Sequence, residues 1–276
     1  MFADYHVHTE FSDDSVYPME SVVRDAIQMG MDEICFTDHV DYGVKDDWDA
    51  GVEIRWRGNE PFANVDYPAY MAEIRRMQSE YGGRIHIRTG LEFGMQTHTI
   101  PQYKALFSRY LFDFIILSVH QIENKEFWTQ DFQRGRSQKE YNERYYQELL
   151  DLVRNYKNYS VLGHLDLIRR YDNAGDYPFE YTKPLIREIL QIVIQDGKGI
   201  EVNTSSYRYG LNDLTPSEEI LRLYRELGGT ILTIGSDSHK PEQLGAHISD
   251  TRKRLKELGF QNFCTYAEMK PVFHEL

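Results

Sequence analysis

Only two cysteines occur in 276 residues, which excludes the disulfide framework that holds small secreted domains together. Cys35 lies in the apolar run Ile-Cys-Phe and reads as a small buried hydrophobe. This usage fits a reducing compartment, so a cytoplasmic location is expected. No apolar run approaches the roughly 20 residues that span a bilayer. The start, Met-Phe-Ala-Asp-Tyr-His, lacks the basic and then apolar pattern of a leader. Positive charge is also scarce, because 31 Lys and Arg stand against 44 Asp and Glu for a net charge of −13. A nucleic-acid partner calls for a basic footprint, and an anionic membrane surface does too, so neither is expected. There is no low-complexity tract, linker-like stretch or internal repeat. The expectation is a single domain over residues 1–276, long enough for one α/β barrel. The oligomeric state stays open.

What is present is an alternation of short apolar runs with longer helical patterns. Strands are expected at 2–7, 33–37, 84–91, 112–118, 160–162, 199–202 and 230–234. Helices are expected at 18–29, 66–81, 138–156, 182–195, from the Thr215-Pro216-Ser217-Glu218 opening to the Gly228-Gly229 stop, and at 249–258 and 266–273. Pro18 suits a first helical turn, Asp66 an N-cap and Gly82-Gly83 a stop. Seven strands separated by helices predict a parallel sheet. A distorted, seven-stranded parallel βα barrel of the α/β class is the first choice and a doubly wound open sheet the alternative. Two connections, 40–65 and 121–137, are long enough to be lids or binding loops. Both are rich in aromatic, acidic and Arg residues.

The polar residues at the strand ends carry the chemical signal. They are His6 and His8, Asp38 and His39, Glu92, His120, His164, and Asp237 with His239. Each alone is weak. A lone His after an apolar run is more often a hydrogen-bonded core residue than a ligand, and Asp14 serves equally as a cap for the following helix. Asp38 is read as an orienting partner for an imidazole. Glu92 says more, because a carboxylate against an apolar strand is costly to bury unless paired or coordinated. Taken together, these groups mark the same end of six expected strands, where parallel barrels collect function. Imidazole and carboxylate together suit zinc, iron or manganese. Arg169, Arg170 and Arg208 follow the fifth and sixth strands. They read either as an anion site or as ion-pair partners for the many acids.

The ordered set resembles the polymerase and histidinol phosphatase (PHP) family. The matching motifs are His6-x-His8-Thr9 with Ser12 and Asp14, Thr37-Asp38-His39, Gly90-x-Glu92, Ser118-x-His120, Gly163-His164 and Ser236-Asp237-Ser238-His239. Residues 115–120, 163–166 and 201–204 look most like its free-standing histidinol-phosphatase branch. The resemblance implies the distorted seven-stranded barrel and three divalent metal ions, zinc, manganese or iron. By motif, His6, His8, Glu92 and Asp237 would hold the first ion. Glu92, His120 and His164 would hold the second, with Glu92 bridging, and Asp14, His39 and His239 the third. Some relatives carry His where Asp14 stands, which leaves the choice of metal open.

The expected activity is hydrolysis of L-histidinol phosphate to L-histidinol and phosphate, in histidine biosynthesis. A metal-activated water would attack phosphorus, Asp237 or His239 would assist proton transfer to the leaving alkoxide, and Arg169, Arg170 and Arg208 would contact the phosphate. Two other readings stand beside it. One is a phosphoesterase for another small ester or a nucleotide; the other is a metal-binding module without turnover.

Overall fold

The apolar runs lie side by side in chain order in a computed structural model that describes residues 1–58, 60–211 and 213–276. Strands β1 (Ala3–Val7), β2 (Glu33–Phe36), β3 (His86–Gly94), β4 (Phe114–Ser118), β5 (Val161–Leu162), β6 (Gly199–Asn203) and β7 (Leu232–Gly235) pair sequentially, every pair parallel. The two edges meet just beyond β7, which favours the barrel over the open sheet. Val7 bridges to Ser238, His8 N–H donates to the Ser238 carbonyl at 2.8 Å, and Ser238 N–H donates to the His6 carbonyl at 3.2 Å. Asp4 fastens this seam by accepting from the backbone N–H groups of Ser236 and Gly245, both at 2.9 Å.

Helices α1 (Met19–Gln28), α2 (Tyr67–Tyr81), α3 (Ile100–Arg109), α4 (Gln138–Asn155), α5 (Phe179–Gln195), α6 (Glu218–Glu226) and α7 (Ile248–Glu257) complete the fold. Their starts follow local chemistry. Asp66 accepts from Ala69 N–H, Ser137 and Glu140 form a reciprocal capping box, and Ser217 accepts from Ile220 N–H. The main core contains Phe36, Leu91, Phe93 and Leu117 from the strands with Tyr70, Ile74, Leu149 and Ile189 from the helices, all buried. Burial of each such side chain contributes about 1.5–3 kcal/mol. A separate cluster holds Tyr5, Phe114, Ile116 and Tyr266, with Tyr5–Phe114 and Phe114–Tyr266 centroids each 5.0 Å apart.

Four expectations change. Residues 266–273 are not helical: strands β8 (Asn262–Ala267) and β9 (Lys270–Glu275) form an antiparallel hairpin. Its turn residues, Glu268 and Met269, take positive φ angles of 50° and 61°. That turn normally advertises itself with Asn-Gly, so Glu-Met concealed it. Here Asp113 holds it, accepting from Glu268 N–H through the side chain and from Met269 N–H through the carbonyl. The second change is α3, an element that was not expected. The third is β3, which continues to Gly94 and takes Glu92 inside the strand. The fourth concerns the long connections, which are partly ordered: Arg55–Arg57 pairs with Glu60–Phe62, and Gln121–Ile122 with Lys125–Glu126. No helix among the described residues is long and apolar enough to cross a membrane.

Candidate metal centre

Glu92 is the hub of the carboxyl end of the barrel. The short strand His39–Val40 pairs in parallel with β3 and sets His39 opposite Glu92. Glu92 divides its two oxygens among five imidazoles. Oε1 lies 2.7 Å from His164 Nε2 and 3.1 Å from His120 Nε2, and also accepts from the Ser118 hydroxyl at 2.6 Å. Oε2 lies 3.1 Å from His6 Nε2, 3.1 Å from His39 Nδ1 and 3.6 Å from His8 Nε2. Asp237 Oδ1 faces His8 Nε2 at 3.5 Å, His239 Nδ1 at 3.6 Å and His6 Nε2 at 3.7 Å. Asp14 Oδ2 faces His239 Nε2 at 3.2 Å and His39 Nε2 at 3.6 Å. Asp14 therefore turns toward the imidazoles and does not cap α1, whose N-cap position is Pro18.

A set of acceptors fixes the rings. Glu201 Oε1 lies 2.5 Å from His6 Nδ1, and Asp41 Oδ1 lies 2.8 Å from His120 Nδ1. The Ser12 hydroxyl meets His8 Nδ1 at 3.1 Å, and the Asp237 carbonyl meets His239 Nδ1 at 3.0 Å. With Nδ1–H donating to these partners, all four rings present Nε2 to the centre. Asp38 acts one step further back than expected. It touches no imidazole but accepts from Ser12 Oγ at 2.7 Å and Thr9 N–H at 2.7 Å, holding the hydroxyl that meets His8. Glu201, Asp41 and Ser12 had no assigned role in the sequence reading. Glu201 carried a usable signal, since an acid in the middle of Gly-Ile-Glu-Val-Asn repeats the anomaly of Glu92. A Cβ on Gly94 or Gly235 would collide with Asp41 or Glu201 respectively, so both glycines clear room for these carboxylates.

Burial and charge pull on the imidazoles in opposite directions. Desolvation works to discharge His6, yet Glu201, Glu92 and Asp237 outweigh it and hold its pKa well above the usual value. Burial likewise opposes charge on His120, but Glu92 and Asp41 push it up to about 9. His8 lies well below the usual value, first through burial and then through His239 and His39. Burial would raise Glu92 and Asp237, but the surrounding imidazoles hold both well below the usual carboxylate range.

The donor set fits divalent metals. Buried His6 Nε2, His8 Nε2, His39 Nδ1, His239 Nε2 and Glu92 Oε2 have no well-formed hydrogen bond among the described residues and converge on shared space. Three groups, His6–Glu92–His164, His6–His8–Asp237 and His8–His39–His239, each place ligand atoms within 4.8 Å of one another. A cation satisfies such mutually facing acceptors.

The centre opens into a cleft of about 320 Å³ lined by His39, His120, His164, Asp237 and His239 and also by Arg170 and Arg208. Arg170 is almost fully buried, 3.6 Å from Asp237 Oδ2, with its guanidinium 4.0 Å from the Tyr209 ring centroid. Arg208 donates to the Ser236 carbonyl at 2.8 Å and also to the Asp237 carbonyl, bracing a turn in which Asp237 has a positive φ of 55°. Arg169 departs from the expected trio. Its side chain lines a different cavity and pairs with Asp166 at 3.0 Å, Asp176 at 3.4 Å and Asp213 at 3.8 Å. Neighbouring residues on one tight 3₁₀ turn, Leu167–Tyr171, cannot both face the centre.

A parallel barrel that gathers imidazoles and carboxylates at its strand ends defines a metal-binding βα-barrel class. The PHP domain family matches residues 4–205, and the chain belongs to that family. It is similar to the histidinol-phosphatase of Lactococcus lactis, with 30% identity over 97% of this chain and 95% of that one. It is 28% identical to a probable histidinol-phosphatase of Clostridium acetobutylicum over 100% and 97% of the two chains. The crystal structure of the Lactococcus lactis histidinol phosphate phosphatase, complexed with zinc, L-histidinol and phosphate, superposes with a TM-score of 0.83, covering 98% of both chains at 30% identity. A putative histidinol phosphatase from Listeria monocytogenes shares the fold, with a TM-score of 0.73 at 20% identity over 90% of this chain and 99% of that one.

Proposed function

We propose that this chain is a metal-dependent histidinol-phosphatase, hydrolysing L-histidinol phosphate to L-histidinol and phosphate in histidine biosynthesis. The observation that carries the reading is the division of Glu92 between His120 and His164 on one oxygen and His6, His8 and His39 on the other. That arrangement suits a carboxylate shared between metal ions. The near full-length similarity to a phosphatase bound to zinc, L-histidinol and phosphate supplies the substrate. In this reading residues 1–276 work as one domain. Its two free, buried thiols suit a reducing cytoplasm.

We assign His6, His8, Glu92 and Asp237 to a first metal, Glu92, His120 and His164 to a second, and Asp14, His39 and His239 to a third. Zinc is favoured by the relative, with manganese and iron compatible with the same donors. Divalent metals held there supply positive charge to the phosphoryl oxygens and a water nucleophile at neutral pH. The protein's own groups do the rest. Arg170 and Arg208 bind the phosphate from the cleft wall, where each already faces the Asp237 carboxylate. Arg170 is oriented by the Ser205 hydroxyl and the Tyr209 ring, so little side-chain freedom is lost when it binds. Asp237 and His239, which both line the cleft, handle the proton passed to the leaving alkoxide.

The test is phosphate release by purified, metal-supplemented protein from L-histidinol phosphate and from a panel of other phosphomonoesters and nucleotides. A far higher kcat/KM for L-histidinol phosphate is expected. Equal, poor turnover of the whole panel overturns the assignment.

A further inference from the structure

The cavity that receives Arg169 has a volume of about 400 Å³, within the range of about 300–1,000 Å³ usual for small-molecule sites. Tyr146 of α4, Phe179 at the start of α5 and Glu219 in the first turn of α6 line it. Arg169 enters from the 3₁₀ turn Leu167–Tyr171, whose next residue, Arg170, lines the metal-facing cleft. One turn thus contributes an arginine to each cavity. It is tied to the metal centre as well, because Leu167 N–H donates to the His164 carbonyl at 2.8 Å and Arg169 N–H to the Asp166 carbonyl at 3.0 Å.

The polar groups of this cavity are incompletely used. Tyr146 is only 4% exposed, yet its hydroxyl makes no hydrogen bond among the described residues, whereas neighbouring Tyr145 donates to the Leu165 carbonyl at 3.1 Å. A buried hydroxyl without a partner is costly. Glu219 has no ion pair or hydrogen bond among the described residues. Asp213 is fixed by Leu214 N–H at 2.7 Å and Glu218 N–H at 3.1 Å, and burial lifts its carboxyl above the usual value. Arg169 keeps one firm partner, buried Asp166 at 3.0 Å. Its other terminal nitrogen faces Asp176 at 3.4 Å, and that acid is 81% exposed, so the contact contributes little. Tyr177 and Phe179 supply an aromatic wall.

We infer that this cavity is a second ligand site, which takes a small α-amino acid with an aromatic or apolar side chain. The charges select a zwitterion. A plain anion meets Asp213 and Glu219, and a plain cation meets Arg169. A carboxylate on Arg169 with an ammonium toward Asp213 and Glu219 satisfies both. The ligand carboxylate takes the place of exposed Asp176, the Tyr146 hydroxyl gains its missing partner, and the side chain packs on Tyr177 and Phe179. Binding draws on Arg169, and the shared turn passes the change to Arg170, so occupancy weakens the grip on the phosphate ester. That last step rests on the histidinol-phosphatase reading; the binding itself does not.

Calorimetric titration of the metal-loaded protein with L-phenylalanine, L-tyrosine, L-leucine and L-histidine tests the site, with 3-phenylpropionate and phenethylamine as controls that carry one charge each. At least one amino acid is expected to bind more tightly than both controls. Tyr146→Phe, which removes a single hydroxyl, should weaken that binding about two- to tenfold. Asp176→Asn, which removes the internal competitor from an exposed position, should tighten it about two- to fivefold. The bound amino acid should raise KM for L-histidinol phosphate about fivefold and then reach a plateau, whereas a competitor at the metal centre raises it without limit. No binding, controls that bind as tightly, or binding that neither variant moves overturns the inference. A KM that climbs without a plateau overturns the coupling between the two cavities. If wild-type protein leaves L-histidinol phosphate intact, the phosphatase reading fails separately, and the titrations still decide on the site.

Discussion

Glu201 Oε1 lies 2.5 Å from His6 Nδ1, although 195 residues separate the two in the chain. The contact spans the interior of the barrel from β6 to β1, and the other Glu201 oxygen accepts from the His164 backbone N–H at 2.9 Å. One buried carboxylate therefore orients two metal-facing histidines. Glu201→Gln preserves shape and removes the charge. It is expected to weaken metal affinity about 10–100-fold, the usual cost of losing such a partner. Metal content after dialysis against a graded chelator buffer measures this; unchanged retention argues that the contact only packs.

Glu92 is expected to behave differently from any single imidazole. Glu92→Gln removes one anionic donor from both sides of the cluster at once. Activity should fall more than about 100-fold, beyond the range of an orienting partner, and bound metal should drop by more than one ion per chain. Loss of a single ion with most activity retained contradicts a shared carboxylate.

Exhaustive chelation should abolish phosphatase activity, and readdition of zinc or manganese should restore it. Titration of the stripped protein should reach full activity only near three equivalents, as the clustered donors suggest. Full activity with fewer than two ions per chain would rule out the three-metal assignment.

Arg170 and Arg169 are adjacent in sequence and should part in their effects. Arg170→Met is expected to raise KM for the phosphate ester, because that side chain lines the cleft beside Asp237. Arg169→Met should leave KM much closer to wild type and instead lower stability by about 1–3 kcal/mol, since it strips a partner from buried Asp166, which also accepts from Ser217 N–H. Urea unfolding and steady-state kinetics on the two variants check the split.

Burial pushes the Cys264 thiol up to about 11, from an ordinary value near 9. The folded form therefore keeps a proton that the unfolded chain releases earlier. This contribution to stability is complete below about pH 9 and is lost as pH rises toward 11. Stability measured across that window should decline less steeply in Cys264→Ala than in the wild type. At pH 8 the native thiols should resist a disulfide reagent that labels the unfolded chain quickly. Rapid native labelling would contradict the burial.

Periodicity and strand-end chemistry made much of this protein legible in one dimension. Seven apolar runs of strand length, capped helices between them and a polar residue at the end of nearly every run predict a parallel sheet with a barrel as first choice, because local propensity and burial pattern depend on near neighbours in the chain; the closing contacts of Val7 and Ser238 then decide for the barrel. The positions of His8, His120, His164, Asp237 and His239 follow from the same rule, whereas His6 and Glu92 lie within β1 and β3 themselves. Other decisions depend on which side chains meet across the barrel. The hairpin of β8 and β9 rests on a turn held by Asp113, and the Glu-Met pair carries no local signal for it. Arg169 and Arg170 face different cavities because a 3₁₀ turn separates their directions. Glu201 and Asp41 became ring-orienting partners only when closure of the barrel brought them to His6 and His120. Adjacent residues can encode a strand or a cap, but the pairing of buried charges from different strands is an outcome of packing, and only the folded chain decides it.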